Sequence, residues 1–237
     1  MWEKMNLETY LGILMLMGIL LLASGGMHRE EHLEASADTE KLTIVIDAGH
    51  GGRDPGKVGV NGAIEKDINL GIAKKLKACL EDQSIRVVMI REEDLGLYDE
   101  SSSNKKQQDM QRRCAIIDET DPVFTVSIHQ NSYSSESVCG PQVFYYSQSV
   151  QGKAVAESIQ DSLNQELDVE RPRDVKANDT YYLLKKTKKP TVIVECGFLS
   201  NRQEEAKLLT EEYQQKVAQS ICDGIHAYLS QGKSGNI

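Results

Sequence analysis

The sequence predicts an α/β fold: a single domain with a mostly parallel, twisted sheet flanked by helices on both faces, preceded by an N-terminal hydrophobic segment. Short apolar runs alternate along the chain with longer stretches whose apolar residues recur at helical spacing, which is the order of α/β units. The chain has 237 residues, 40% hydrophobic and 27% charged. That is enough to bury a sizeable core, and too polar for a multispan membrane protein.

The elements follow in order. Residues 1–27 hold a signal or anchor segment: Thr9 to Met27 is 19 residues without a formal charge, about 28 Å as a helix against a hydrocarbon core of roughly 30 Å. Ala23-Ser24-Gly25 offers small residues for cleavage, so cleavage and retention as an anchor are both compatible with it. Residues 28–40 (HREEHLEASADTE) are polar, acidic and without apolar period, a linker. His28 and His32 within it read as a solvated pair. Residues 41–237 form the folded α/β domain. Leu42 to Ile46 reads as a strand, and Ile68, Ile72, Leu76 and Leu80 form one helical stripe. Ile85 to Ile90 is a strand, Asn104 to Asp118 a helix, and Val123 to Ile128 and Gln142 to Tyr146 are strands. Val150 to Leu167 is a helix and Thr191 to Val194 a buried strand, and Tyr213, Val217, Ile221, Ile225 and Leu229 mark a closing helix.

The net charge of −9 lacks the basic surplus that nucleic-acid binding requires, so no nucleic-acid partner is expected. The five cysteines, Cys79, Cys114, Cys139, Cys196 and Cys222, are odd in number, widely spaced and never in a CxxC pair. They indicate neither a disulfide framework nor a cysteine zinc site and read mostly as small buried apolar residues.

In parallel α/β sheets, active sites form at the carboxyl ends of strands. His50 follows the first strand in DAGHGG, His129 ends the third in SIHQN, and Glu195 ends the last in VECG. Glu65 opens the first helix after a Gly- and Pro-rich loop able to fold back towards His50. Two imidazoles and one carboxylate leave the fourth position of a tetrahedral zinc open for water, the pattern of a catalytic site. Glu195 is then the unbound carboxylate, placed to take a proton from that water and pass it to a leaving amine. Each residue has a plainer reading: a strand-end histidine is usually a hydrogen-bonded structural residue, and Glu65 suits a helix N-terminus. Their convergence favours the metal site. GHGG lacks the spacing of a phosphate loop. Cys196 reads as buried, not as a nucleophile, His226 as packed or solvent-facing, and the run Lys185, Lys186, Lys188, Lys189 as a solvated loop.

Six blocks, IDAGHGGRDPG, EKDINL, the strand ending in Arg91 with Asp94 after it, SIHQNS, GPQVFYY and VECGFLSN, together resemble the zinc-dependent N-acetylmuramoyl-L-alanine amidases of the type 3 (AmiC/CwlD-like) family, from about Leu42 to Leu229. The resemblance implies Zn2+ bound by His50, Glu65 and His129, Glu195 as the catalytic carboxylate, and hydrolysis of the amide joining the muramic acid lactyl group to L-alanine in peptidoglycan. The single hydrophobic segment, the absence of wall-binding repeats, the KKQQDMQRR stretch and GFLSN are similar to the germination-specific CwlD subtype. That implies spore cortex peptidoglycan as substrate, with muramic δ-lactam completed by a separate deacetylase. Further implications are an extracytoplasmic enzyme held at the membrane by its N-terminal segment or secreted, with the forespore intermembrane space as its place. The long insertion between His129 and the Val150 helix that blocks the site in some relatives is absent, so any control comes from outside this loop, and an activating protein partner is compatible with that. Asp118 stands where relatives often have Asn, and Cys196 where a small or polar residue is common. A metallopeptidase or deacetylase acting on another amide, and a non-catalytic peptidoglycan-binding protein, are the competing readings.

Overall fold

The computed structural model describes residues 42–169 and 171–234. The hydrophobic segment and the linker expected over residues 1–27 and 28–40 lie outside the described residues. Among the described residues no helix is long and apolar enough to cross a membrane.

Six strands form one sheet: β1 (Thr43–Ala48), β2 (Arg86–Met89), β3 (Phe124–Asn131), β4 (Gln142–Tyr145), β5 (Lys176–Ala177) and β6 (Thr191–Phe198), in the order β2-β1-β3-β6-β4-β5. The first four positions run parallel, and β4 joins β6 antiparallel with β5 alongside it. The helices are α1 (Glu65–Asp82), α2 (Lys105–Thr120), α3 (Val150–Glu166), α4 (Tyr182–Lys186), α5 (Arg202–Leu208) and α6 (Glu211–Ser234).

Strand alternation decides which helix covers which face. Ile44, Ile46, Phe124, Val126, Ile128, Val192 and Val194 face α1, α3 and α6, burying Ile72, Leu76, Ile159, Leu163, Val217 and Ile221 with them. Val45, Ile90, Cys114, Ile117 and Leu183 form a smaller cluster on the other face, under α2 and α4. The same alternation puts Asp47, Ser127, His129 and Glu195 on this thinly covered face, where the core gives way to a cleft.

β3 and β6 extend past the expected ends, to Asn131 and Phe198, because both are buried central strands whose ladder continues beyond the apolar run: His129 lies opposite Glu195 and Asn131 opposite Phe198. α4, α5 and β5 carry no sequence period, being at most two turns or two residues long. The lysine run is not wholly loop, since Lys185 and Lys186 close α4. His226 is exposed on α6.

The reading of the cysteines needs correction. Cys79 and Cys222 form a disulfide across a sequence separation of 143 residues, joining α1 to α6. An odd cysteine count hid it, because the bond depends on two helices packing side by side. Cys114, Cys139 and Cys196 are free. Cys114 and Cys196 are buried as expected, and burial pushes the Cys114 thiol up to about 11. A cross-link closing so long a loop constrains the unfolded chain by up to about 5 kcal/mol in the chain-entropy picture. Reduction, or Cys222→Ser, is expected to lower the unfolding free energy by about 2–5 kcal/mol in denaturant titrations. Thiol counting on the unfolded, unreduced protein should find three free thiols; five would remove the bond.

Candidate metal and catalytic site

The loop between β1 and α1 does fold back. Gly51 and Asp54 form a bridge, as do Val58 and Ile64. Its carbonyls then cap α1 in place of a side chain: Glu65 N–H donates to the Lys57 carbonyl (3.0 Å) and Lys66 N–H to the Pro55 carbonyl (3.1 Å). The Glu65 side chain is thereby free for other work.

Its carboxylate sits between the two histidines. Oε2 lies 3.2 Å from His50 Nε2, and Oε1 lies 3.0 Å from His129 Nδ1. The ligand atoms of His50, Glu65 and His129 all fall within 4.8 Å of one another, and the imidazole rings meet edge to face at 4.9 Å. Glu65 is 1% exposed, and backbone N–H groups of Lys57 (2.7 Å) and Gln130 (3.1 Å) fix its two oxygens. Burial opposes its charge, but the hydrogen bonds and charges of His129 and His50 outweigh that and hold the carboxyl far below the usual range. At His50, burial likewise opposes charge, and hydrogen bonds to Asp54 and Glu65 win, raising it to about 9. Asp54 holds the second ring nitrogen of His50 at 3.0 Å.

Two glycines make room. A Cβ on Gly49 would stand 2.2 Å from His129 Nε2, and one on Gly56, where φ is +71°, would stand 2.4 Å from Glu65 Oε2. The sequence DAGHGGRDPG therefore has glycine where the backbone must pass directly beside the two side chains.

Glu195 stands beside His129 across the β3/β6 ladder and is 8% exposed. Its Oε2 is buried without a hydrogen-bond partner. Burial, with Glu65 adding and His129 and His50 opposing, pushes this carboxyl up to about 7. The four residues named from the sequence line one cleft of about 820 Å³, whose walls also include Arg53, Lys106, Met110, Tyr181, Tyr182 and Leu183.

The donor set suits zinc. With ligand distances of about 2.0–2.1 Å, neighbouring donors of a tetrahedral ion stand roughly 3.3 Å apart, close to the two nitrogen–oxygen separations here. Sequence reading missed the supports. Asp54 was visible as a carboxylate four residues after a candidate ligand. Arg113 was visible as a charge within the apolar stripe of Met110, Cys114 and Ile117, but its target was not. Burial opposes ionisation of Asp47, yet the Arg113 guanidinium and the Ser127 hydroxyl keep its carboxyl below the ordinary value.

Comparison with known proteins follows the same lines. Residues 44–227 match the family model described as N-acetylmuramoyl-L-alanine amidase. A germination-specific N-acetylmuramoyl-L-alanine amidase of Bacillus subtilis (strain 168) is 37% identical over 191 residues, covering 79% of this chain and 80% of that protein. The CwlD amidase of Clostridioides difficile, solved in complex with the GerS lipoprotein, superposes with a TM-score of 0.78 at 39% identity, covering 81% of this chain and all of that one. The AmiC2 amidase of Nostoc punctiforme gives 0.71 at 33% identity, covering 80% and 97%. The chain belongs to the type 3 family of N-acetylmuramoyl-L-alanine amidases and is CwlD-like in sequence and fold.

Proposed function

We propose that this peptidoglycan amidase is zinc-dependent, with His50, Glu65 and His129 as metal ligands and Glu195 as the catalytic carboxylate. The observation that carries the reading is the convergence of two imidazoles and a buried carboxylate beside a second buried carboxylate with an unpaired oxygen, all open to one cleft. When bound, zinc supplies Lewis acidity that acidifies a water and polarises the scissile carbonyl. The chain does the rest. Asp54 fixes the tautomer and aim of His50. Lys57 and Gln130 N–H groups orient Glu65. Glu195 takes the proton of the attacking water and returns it to the lactyl-amide nitrogen as L-alanine leaves; a carboxyl titrating near neutrality suits both transfers.

The substrate within this reading is spore cortex peptidoglycan, cleaved so that muramic δ-lactam can form, in keeping with the germination-specific relative. The enzyme works outside the cytoplasm, in the forespore intermembrane space. Residues 1–27 deliver it as a signal or anchor, residues 28–40 link that segment to the catalytic domain at 41–237, and the Cys79–Cys222 bond suits an oxidising compartment. A protein partner is part of the proposal, because the similar CwlD amidase is seen with a lipoprotein.

Incubating purified protein with cortex peptidoglycan, with zinc and after chelation, and analysing the products by mass spectrometry tests the chemistry. Stem peptides with a free N-terminal L-alanine, released only with metal, are expected. Cleavage within the stem would indicate a peptidase, loss of acetyl groups a deacetylase, and intact polymer a binding protein.

A further inference from the structure

At one wall of the cleft, Ala48 at the end of β1 and the two residues that follow it present their carbonyls to two buried guanidinium groups. Arg91 donates to the Ala48 carbonyl (2.8 Å) and the Gly49 carbonyl (3.1 Å), and Arg113 to the Ala48 carbonyl (3.1 Å) and the His50 carbonyl (2.6 Å). Arg113 is 2% exposed. Its remaining N–H groups go to Asp47 Oδ1, to Asp109 Oδ2 (2.6 Å) and to Asp109 Oδ1 (3.4 Å). All five guanidinium donors are thus satisfied. Asp47 Oδ2 accepts from the Ser127 hydroxyl at 2.6 Å, and Ser127 lies on β3 two residues before His129. One network therefore ties the strand that carries His129 to the turn that carries His50.

The turn needs tying. His50 has φ of +63°, a left-handed conformation that is uncommon for a residue with a side chain. Relaxation to negative φ would swing the imidazole away from Glu65. The Arg113 bond to the His50 carbonyl opposes that swing directly.

Resting on the metal reading above, we infer that Arg113 is a positioning residue for the metal site: locked between Asp47 and Asp109, it holds the His50 backbone so that the imidazole meets Glu65 and His129. Its role runs through the His50 backbone, because all five of its N–H groups are engaged by Asp47, Ala48, His50 and Asp109. Lysine keeps the charge that Asp47 and Asp109 require, but its single ammonium lacks the planar fork needed to hold both carboxylates and the carbonyl together.

The test measures zinc affinity of the metal-stripped full chain by chelator competition, and the absorption spectrum of the Co2+ form, in Arg113→Lys, Ser127→Ala and Ser149→Ala. Ser149 caps α3, where its hydroxyl accepts from Gly152 N–H, on the other face of the sheet; its loss lowers stability alone. Arg113→Lys should bind zinc about 10- to 100-fold more weakly, with an altered Co2+ spectrum. Ser127→Ala, short of one hydrogen bond, should bind about three- to tenfold more weakly. Ser149→Ala should melt earlier with wild-type affinity and spectrum. Wild-type affinity in Arg113→Lys would overturn the inference, as would equal weakening in Ser149→Ala. If Arg113→Lys does not fold, Ser127→Ala decides by the same criterion. A wild-type chain that binds neither metal would instead overturn the metal reading itself.

Discussion

Glu195→Gln should keep the metal content of the purified protein and lower amide hydrolysis by about 10²- to 10⁴-fold, towards the upper end. The substitution keeps the size and shape of the side chain and removes its negative charge and its capacity to take up a proton. Glu195 has the geometry for that one duty: it neighbours His129 across the ladder, is nearly buried, and carries an oxygen with no protein partner. A carboxylate serving the attacking water and the leaving nitrogen in turn acts twice in one turnover, so its loss affects both steps. Steady-state release of L-alanine-terminated peptides, measured with zinc content on the same sample, checks both halves. An active variant would remove Glu195 from the mechanism. Loss of zinc from this variant, with zinc retained in Glu65→Gln, would exchange the roles of the two glutamates.

How much of this was open to a reader of the sequence follows from the range of each interaction. Buried parallel strands are short apolar runs, and long helices show their stripe, so the α/β order and the strand-end positions of His50, His129 and Glu195 could be read directly. Glu65 could be placed because a glycine-rich loop of that length returns to its own strand. Arg113 could not be placed, because its meaning depends on α2 lying over the end of β1, a relation set by tertiary packing across more than 60 residues. The Cys79–Cys222 bond failed to show for the same reason at greater range, since pairing is a property of the α1–α6 contact. α4, at five residues, is shorter than two helical turns and has no period to detect, although Tyr181 at its start lines the cleft.

Removing either histidine should take the metal from about one equivalent per chain to near zero and abolish hydrolysis, a larger loss than at Glu195 because the water and the carbonyl would both lose their activation. The two sites should differ in what they do to the fold. His50 sits in the loop after β1, held by Asp54, whereas His129 lies in a central strand opposite Glu195. Each also hydrogen-bonds the buried Glu65 carboxylate, so either alanine leaves that charge with fewer partners and should cost stability as well as zinc. Chelation of the wild-type protein should remove the metal with much less damage, because Glu65 and the two imidazoles can bond to one another at 3.2 and 3.0 Å. Glu65→Gln should fall between: the amide keeps an oxygen donor but loses the negative charge among the three ligands, so zinc should bind measurably but more weakly. Elemental analysis after gel filtration, paired with thermal melts, separates these cases. Full zinc occupancy in both His50→Ala and His129→Ala would sink the ligand assignment, whatever their activity.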